Sequence, residues 1–314
     1  MMSIQLHSSD PKDPKYTSNN VAQGIHYAVD VLLDTAYQGI NQANWKKLSY
    51  TYLSLGKMQP APRAVRRQDN AYDQFIFQDL PKGALTGNLL HYIFEHIDFS
   101  NPANWSRVIE QAQRRLSFKK EGIDAGILKM LETVTRVNIK VENAPEFSLA
   151  SVKQSDRLNE LEFDFNVTPF HTLDILSLSD NQVRLQVKDE SAVEGMMNGK
   201  IDLFFRSGNQ YFLLDWKSNF LGDAVTDYDA DGVAEAMEAN NYHLQYHIYA
   251  LAVYKYLKAR LPDFDYERDF GGVIYLFLRG VREGSATGIF AAKPPLKKIL
   301  ALQAMLDTKA ELLA

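Results

Sequence analysis

The chain has 314 residues, of which 46% are hydrophobic and 23% charged, and its formal net charge is −5 at pH 7. This is the composition of a globular protein, and the length allows one large domain or two modest ones. The charge balance gives no overall basic field of the kind that favours nucleic acids, although a local basic groove is compatible with a negative net charge. The absence of cysteine excludes disulfides and thiolate metal sites.

The sequence predicts neither secretion nor membrane insertion. The N-terminal segment MMSIQLHSSDPKDPK has no apolar signal-peptide core, and the chain contains no run of about 18 apolar residues. No GxxxxGK[ST] phosphate-binding loop occurs either. We therefore expect a cytoplasmic protein with no membrane partner and no ATP site of this type.

Apolar periodicity predicts that the first half of the chain is mainly helical. One helix face, with i, i+3, i+4, i+7 spacing, is formed by Leu90, Ile93, Phe94 and Ile97. Similar patterns predict helices over about 20–37, 104–116 and 122–138. Residues 55–70 carry glycine and proline and are typical of a connector.

The second half of the chain begins with strands. In ELEFDFNV, residues 160–167, apolar and acidic side chains alternate, which predicts a strand with one wet, acidic face. Residues 199–216 have the pattern of a β-hairpin with its turn at 207–210. A long helix over about 232–259 and a buried strand over 271–278 follow. This order predicts a mixed α/β core with helices around it.

The hairpin turn determines which acidic residues face each other. A two-residue or four-residue loop within 207–210 places Asp202 opposite Asp215, with Cβ atoms about 5 Å apart. Lys217 lies on the same face as Asp215, because side chains alternate along a strand. Two facing carboxylates repel by roughly 3 kcal/mol at an effective dielectric constant of about 20, and a divalent cation between them removes this cost. The alternative is that a bulge turns one aspartate away while Lys217 pairs with the other.

The ligand types predict which ion such a site prefers. Carboxylates without thiols suit Mg²⁺, with Mn²⁺ as a substitute, and we expect Ca²⁺ to be inhibitory or non-productive there. Ions of this kind stabilise charge on a phosphoryl oxygen and lower the pKa of a water molecule. Lys217 then supplies a point charge that orients this water or meets the anion of the transition state.

The motif Asp202…Asp215-Trp216-Lys217 resembles that of the PD-(D/E)xK nuclease superfamily. From about residue 80 to residue 290, the sequence is similar to the C-terminal nuclease domain of the RecB subunit of the RecBCD enzyme (exodeoxyribonuclease V). The matching segments, in the family's order, are GNLLHYIFE, NELEF, GKIDLFFR, YFLLDWKSNFLGD, YHLQYHIYALAVYKYL and FDYERDFGGVIYLFLRGV. This resemblance implies a restriction-endonuclease-like core, a mixed central sheet flanked by helices, with additional N-terminal helices. We assign residues 1–75 to an N-terminal helical or linker extension and residues 76–314 to the nuclease domain.

The resemblance also implies which groups bind a metal. They are the side chains of His91, Asp202 and Asp215 and the backbone carbonyl of Trp216, where the family usually has tyrosine. Gly83, Gly87 and His91 share one face of the predicted helix, so the glycines allow this face to approach the sheet closely. The alternative for His91 is a histidine at the edge of the core that pairs with Glu95.

The same resemblance implies the catalytic residues. Lys217 corresponds to the catalytic lysine and acts together with Asp202 and Asp215. The acidic residue of the family's E-x-E-F strand corresponds to Glu160, and Glu162 on the same strand face is the alternative.

Further polar residues are expected around the cleft. Gln245 and Tyr249 match the family's Q-x-x-x-Y helix motif, and their i, i+4 spacing directs both toward the active site or the DNA. The alternative for Tyr249 is packing at the edge of the core. Candidates for phosphate contacts are Lys200, Arg206 and Arg157, and the alternative is that each is an ordinary surface charge.

Residues 227–238 match a second metal motif, the calcium-loop pattern D-x-D-x-D-G-x₅-E. The preceding SNFLGDAVT is not a convincing helix, and Ala234 stands where a larger apolar side chain is usual. The context therefore favours the alternative, an acidic loop whose Asp231 caps the following helix.

Together these features predict a Mg²⁺-dependent deoxyribonuclease that hydrolyses phosphodiester bonds in DNA. The resemblance implies the nuclease module of a RecBCD-type helicase-nuclease that acts in recombinational double-strand-break repair and DNA degradation. The implied partners are DNA, the helicase part of a RecB-type chain, and RecC- and RecD-type subunits. Two alternatives remain: a non-cleaving DNA-binding or structural module of a helicase complex, and a stand-alone RecB-like exonuclease.

Overall fold

The structure, a computed structural model, describes residues 2–3, 45–54, 70–180, 183–188 and 190–307. The helix predicted over 20–37 and nearly all of the predicted connector 55–70 lie outside the described residues. None of the helices in the described ranges is long and apolar enough to cross a membrane.

The described residues form seven strands: β1 (Met2–Ser3), β2 (Trp45–Leu48), β3 (Arg157–His171), β4 (Ala192–Ser207), β5 (Gln210–Lys217), β6 (Phe270–Phe277) and β7 (Ile289–Ala292). Their α-helices are α1 (Tyr50–Leu53), α2 (Ala71–Gln74), α3 (Ala84–His96), α4 (Trp105–Arg115), α5 (Asp124–Arg136), α6 (Ala230–Ala239), α7 (Tyr242–Arg260), α8 (Tyr266–Asp269) and α9 (Leu296–Asp307). Short 3-10 turns lie at Pro102–Asn104, Leu149–Ser151, Gln154–Asp156, Thr172–Leu178 and Val225–Tyr228, and a π-helical turn follows α2 at Phe75–Asp79. The predicted hairpin, the helices over 104–116 and 122–138 and the strand over 271–278 are confirmed.

All seven strands belong to one mixed sheet. The strand order is β1-β3-β4-β5-β6-β7, and β2 pairs with the part of β4 that lies beyond the end of β5. The pairs β2–β4 and β5–β6 are parallel, and the other pairs are antiparallel. A parallel pair needs a long crossover connection, and the chain between β5 and β6, with its helices α6, α7 and α8, supplies it.

Helices cover both faces of the central strands. Every residue of β6 is buried, as expected for a strand that packs on both faces. On one face, the ring of Trp216 in β5 stacks on Phe94 of α3, with ring centroids 4.4 Å apart. On the other face, Lys217 of β5 bonds to Gln245 of α7. The predicted α/β architecture, a mixed sheet flanked by helices, is therefore confirmed, and the end of β5 lies between α3 and α7.

The predicted N-terminal extension contributes to this sheet. Residues Trp45–Leu48 of the assigned extension 1–75 form β2, which pairs with Glu194–Met197 of β4. The domain boundary near residue 76 stays a prediction.

The single long helix predicted over 232–259 is wrong, because the chain is interrupted between α6 and α7. Asn241 has a φ of 54°, in the left-handed region, and directly precedes α7. Its Nδ2 donates to the carbonyl oxygen of Gln186 at 2.7 Å and to Oγ of Ser54 at 3.2 Å. Asparagine tolerates this conformation, and its side-chain bonds compete with continuation of the helix.

β3 alternates between buried and less buried residues as predicted, but its backbone is irregular at Glu160. Glu160 has a φ of 54° and forms no ladder pair with β4, although the residues on either side do. These neighbouring pairs join β3 to Leu203 and Ile201, so Glu160 lies opposite Asp202. A positive φ costs a residue with a Cβ roughly 1–2 kcal/mol.

This irregularity predicts an unusual order of stabilities at position 160. We expect Glu160→Gly to have a higher free energy of unfolding than Glu160→Ala, by about 1 kcal/mol, because glycine adopts positive φ without steric cost. Both variants lose the same carboxylate, so urea unfolding compares their backbones alone. The same pair of substitutions at the exposed Glu162 is the control, where alanine should be the more stable. Equal stability of the two variants at 160 would contradict the strain.

Two histidines of α7 are buried as neutral side chains. His243 is 7% exposed and His247 is 1% exposed. Nδ1 of His247 lies 2.6 Å from the carbonyl oxygen of His243, and its Nε2 has no hydrogen-bond partner within the described chain. Burial lowers the pKa of both imidazoles to about 4.

These two histidines predict a loss of stability in mild acid. Between their ordinary pKa of about 6.5 and the folded value of about 4, the unfolded chain binds more protons than the folded chain. The free energy of unfolding should therefore fall as the pH falls from about 6.5, by up to roughly 1.4 kcal/mol per pH unit for each histidine. Urea unfolding at pH 7 and pH 5 measures this slope. The double variant His243→Leu, His247→Leu should have a shallower slope, and an unchanged slope would refute the assignment.

Candidate metal centre and active site

The β4–β5 hairpin has the register predicted from the sequence. Its ladder runs from the turn to the pair Leu203 and Leu214. Beyond this pair, Oδ2 of Asp202 accepts a hydrogen bond from the backbone N–H of Trp216 at 2.8 Å. Asp202 is therefore bonded to the strand that carries Asp215, at the point where that strand ends.

Asp215 and Lys217 form a buried ion pair at the end of β5. Nζ of Lys217 lies 2.5 Å from Oδ1 of Asp215, and neither side chain is more than 10% exposed. Burial and the negative charge of Asp202 raise the pKa of Asp215 above its usual value, with Lys217 acting in the opposite direction. Burial opposes the charge of Lys217, but its hydrogen bond to Asp215 and its electrostatic interactions with Asp215, Tyr242 and Asp202 together outweigh burial and raise the pKa of the lysine. Lys217 therefore pairs with one aspartate, as in the alternative interpretation, but the other aspartate is not turned away from the site.

His91 of α3 reaches the same end of β5. Its Nε2 lies 3.0 Å from the carbonyl oxygen of Trp216, and its Nδ1 lies 3.5 Å from Oδ1 of Asp202. Burial lowers the pKa of His91, but the hydrogen bond to Asp202 and the charges of Asp202 and Asp215 outweigh burial, and the net effect is a raised pKa. Glu95, the alternative partner, instead lies 3.7 Å from Nδ1 of His96.

The close approach of α3 to β5 depends on Gly87. A Cβ atom at this position would lie 2.9 Å from Oγ of Ser218, the residue after Lys217. Gly83 differs, because a Cβ there would meet nothing within 4 Å. Gly83 precedes the first residue of α3 with a φ of 105°, a conformation that favours glycine. The predicted role of the glycines in close approach is correct for Gly87 and wrong for Gly83.

Three side chains meet in a cluster that can hold a cation. One ligand atom each from His91, Glu160 and Asp202 lies within 4.8 Å of the others, and no second cluster of this kind occurs among the described residues. An imidazole nitrogen with carboxylate oxygens is a donor set that suits a divalent cation. The Trp216 carbonyl borders this cluster through its contact with His91, and Asp215 interacts electrostatically with both His91 and Asp202. The donors present therefore fit such an ion.

Gln245 and Tyr249 lie beneath the site, on α7. Oε1 of Gln245 accepts hydrogen bonds from Nζ of Lys217 at 3.1 Å and from the hydroxyl of Tyr275 at 3.0 Å. Nε2 of Gln245 donates to the hydroxyl of Tyr249 at 3.1 Å. The Tyr249 ring packs against Phe163, which agrees with the alternative of a tyrosine at the edge of the core. Gln245 therefore contacts the lysine directly, and Tyr249 contacts Gln245.

Two of the predicted phosphate contacts have acidic partners. Nζ of Lys200, whose side chain is 52% exposed, contacts a carboxylate oxygen of Glu160 at the rim of the cluster. Nη2 of Arg206 lies 3.0 Å from Oδ1 of Asp156. Arg206 is near the hairpin turn, about 13 Å along β4 from Asp202. A role in DNA binding stays a prediction for both residues.

The third candidate, Arg157, is buried, so the alternative of an ordinary surface charge is wrong for it, and a phosphate contact stays a prediction. Arg157 is 7% exposed, and its guanidinium carbon lies 3.9 Å from the ring centroid of Phe99. One of its Nη atoms also contacts the carbonyl oxygen of Ile97. The residue therefore links β3 to the end of α3 and offers little surface to DNA.

The acidic segment 227–238 is a helix start. Oδ2 of Asp227 accepts a hydrogen bond from the backbone N–H of Ala224 at 3.0 Å. Oδ1 of Asp229 accepts one from the N–H of Gly232 at 3.0 Å and so caps α6. The alternative of an acidic helix start is correct, but the predicted cap Asp231 is wrong, because Asp229 is the N-cap and Asp231 lies in the first turn. The acids of this loop do not converge as ligands in the described structure.

The sequence analysis did not single out Tyr242, whose ring centroid lies 3.9 Å from Nζ of Lys217. Tyr275 was also missed, and its ring centroid lies 5.0 Å from the same atom. Tyr242 lies within a predicted helix and Tyr275 within a predicted strand, at positions where an aromatic residue of the core is ordinary. No local signal in the sequence distinguishes them.

Comparison with known proteins agrees with these motifs. No family model matches the chain. Over 227 residues the chain is 38% identical to the RecBCD enzyme subunit RecB of Escherichia coli (strain K12). This alignment covers 68% of this chain and 18% of that protein. The same subunit of Haemophilus influenzae is 34% identical over 231 residues, or 71% of this chain and 18% of the relative. The RecB subunit of Mycolicibacterium smegmatis is 27% identical over 340 residues, an alignment that covers 87% of this chain and 30% of that relative.

The chain thus spans less than a fifth of the length of the first two curated relatives, 18% of each. On this similarity, the chain belongs to the RecB family and is homologous to one part of the RecB subunit.

Proposed function

We propose that this chain is a divalent-cation-dependent deoxyribonuclease that hydrolyses phosphodiester bonds in DNA. The observation that carries the proposal is a buried ammonium group, Lys217, beside carboxylates on three adjacent strands. Homology to RecB supports the reaction class. The site combines carboxylates that can bind a cation with the fixed positive charge of Lys217. This combination suits a phosphate diester, whose own negative charge must be neutralised during attack.

In this proposal, the cation is held by His91, Asp202, Asp215 and the carbonyl of Trp216, with Glu160 assisting. Hard oxygen ligands favour Mg²⁺, Mn²⁺ can replace it, and we expect Ca²⁺ to be non-productive. When bound, such an ion supplies Lewis-acid stabilisation of charge on phosphoryl oxygens. The raised pKa of Asp215, which comes from burial and from the nearby Asp202, supports a need for positive charge at this point.

Lys217 acts as a hydrogen-bond donor in this proposal and not as a base. Its raised pKa keeps the side chain in the ammonium form at neutral pH. An ammonium group has three N–H donors, and Asp215 and Gln245 accept two of them. The remaining donor is available to a phosphate oxygen, where it would stabilise the charge that develops in the transition state.

We further propose that the chain functions as the nuclease module of a RecBCD-type helicase-nuclease, in recombinational double-strand-break repair and DNA degradation. Its relatives are named as subunits of the RecBCD enzyme. The partners would be DNA, the helicase part of a RecB-type chain, and RecC- and RecD-type subunits. A non-cleaving role is less well supported, because such a role does not need a buried lysine and converging carboxylates, which are costly to maintain.

Removal of the lysine or its carboxylate should abolish cleavage. We expect Lys217→Ala and Asp215→Ala each to lower the rate of digestion of linear DNA by about 100-fold or more, while the far-ultraviolet circular dichroism spectrum stays unchanged. The control is Lys140→Ala, which removes an exposed lysine far from the site. Cleavage by either site variant at the rate of the unsubstituted chain would refute the assignment.

Metal binding should depend on Asp202 and not on the acidic helix start. We expect EDTA to stop DNA cleavage and excess Mg²⁺ to restore it. Binding of Mn²⁺, followed by loss of the free-ion signal in electron paramagnetic resonance, should weaken by about tenfold or more in Asp202→Asn, which loses ligand charge. Asp227→Asn is the matched control and should bind Mn²⁺ normally. The reverse order of effects would place the ion in the 227–238 segment.

A further inference from the structure

The ammonium group of Lys217 has an unusual set of neighbours. Two oxygen atoms accept its hydrogen bonds, Oδ1 of Asp215 at 2.5 Å and Oε1 of Gln245 at 3.1 Å. Its other close neighbours are aromatic, because the ring centroid of Tyr242 lies 3.9 Å from Nζ and that of Tyr275 lies 5.0 Å away. The charge is thus enclosed by one carboxylate, one amide and two rings.

Tyr242 is fixed in this position by the interruption between α6 and α7. It is the first residue of α7, directly after Asn241 with its left-handed backbone. Its hydroxyl lies 3.2 Å from Oδ1 of Asn219, in the segment that follows Lys217. The ring is 4% exposed. The backbone and the hydroxyl group of the tyrosine are therefore both held in place. The buried ring has a fixed orientation toward the lysine.

The face of an aromatic ring attracts a cation without the lone pairs of an oxygen acceptor. This attraction is strongest where water is excluded, as it is around Lys217. A second carboxylate in the place of the ring would bind the ammonium more tightly, but it would also occupy another N–H donor. A ring can thus fix the position of the charge and still leave a donor for the substrate.

We propose that Tyr242 is a positioning residue that holds Lys217 for catalysis through a cation–π contact. This inference rests on the proposed nuclease function and extends it to a residue outside the Asp-x-Lys and Q-x-x-x-Y motifs. Tyr242 touches neither the cation site nor the substrate in this account. It acts through the lysine, so its loss should lower kcat and leave KM for DNA nearly unchanged.

The test uses rings that differ in electron density but hardly in size. In the full 314-residue chain, Tyr242→Phe and its mono-, di- and trifluorinated phenylalanine analogues are compared in Mg²⁺-dependent cleavage. Each fluorine weakens the negative ring face. We expect Tyr242→Phe to retain most of the activity, and log kcat to fall steadily with fluorine number, by about tenfold over the series. Tyr242→Leu, which removes the ring, should lower kcat at least as far.

The matched control is the same series at Tyr211, a ring that stacks on Phe204 near the hairpin turn. There we expect no trend of kcat with fluorination. Mn²⁺ binding should also be equal across the Tyr242 series, because the ligands are untouched. The positioning role alone is overturned if kcat does not change with fluorine number at position 242 in an active enzyme. It is also overturned if KM increases and kcat does not decrease. Absence of cleavage by the unsubstituted chain overturns the nuclease function and the positioning role together.

Discussion

The central constraint on this structure is the placement of three carboxylates side by side on adjacent strands, with Asp202 and Asp215 buried and Glu160 partly buried. Asp202 lies between Glu160 on one neighbouring strand and Asp215 on the other, and the buried Lys217 is paired with Asp215. Burial and the negative charge of Asp202 raise the pKa of Asp215, and buried like charges destabilise a fold unless positive charge is supplied. The surrounding sheet and helices, α3 with its imidazole and α7 with its amide, hold these groups in place. In the proposed function, the point that carries this electrostatic cost is where a phosphate ester would be attacked.

Much of this site could be predicted from sequence, because the geometry of a hairpin is local. The turn at 207–210 sets the register of two strands, and the register alone brings Asp202 and Asp215 to the same place. The position of Lys217 follows from strand alternation. His91 and Glu160 needed the family resemblance, since a helix on a remote part of the chain and an irregular strand position have no local signal that relates them to the hairpin.

The errors of the sequence analysis arose where long-range contacts override local preference. Apolar periodicity continues across Asn241, but Ser54 and Gln186, which are distant in sequence, bind its side chain and interrupt the helix. Arg157 has the composition of a surface charge, yet the ring of Phe99 and the carbonyl of Ile97 make it a core residue. These outcomes depend on which segments meet in three dimensions, and periodicity in a single sequence does not contain that information.

The interruption at Asn241 has a consequence for how chain length can vary among related proteins. A residue inserted into an α-helix rotates everything beyond it by about 100° around the axis. An insertion between Tyr242 and Gln245 would therefore turn the amide away from the lysine while Tyr242 stayed in place. The tip of the β4–β5 hairpin has open space around Gly208, but its turn sets the strand register. Insertions should accordingly be tolerated at the hairpin tip where they lengthen the loop without shifting this register, and they should be excluded from the first turn of α7.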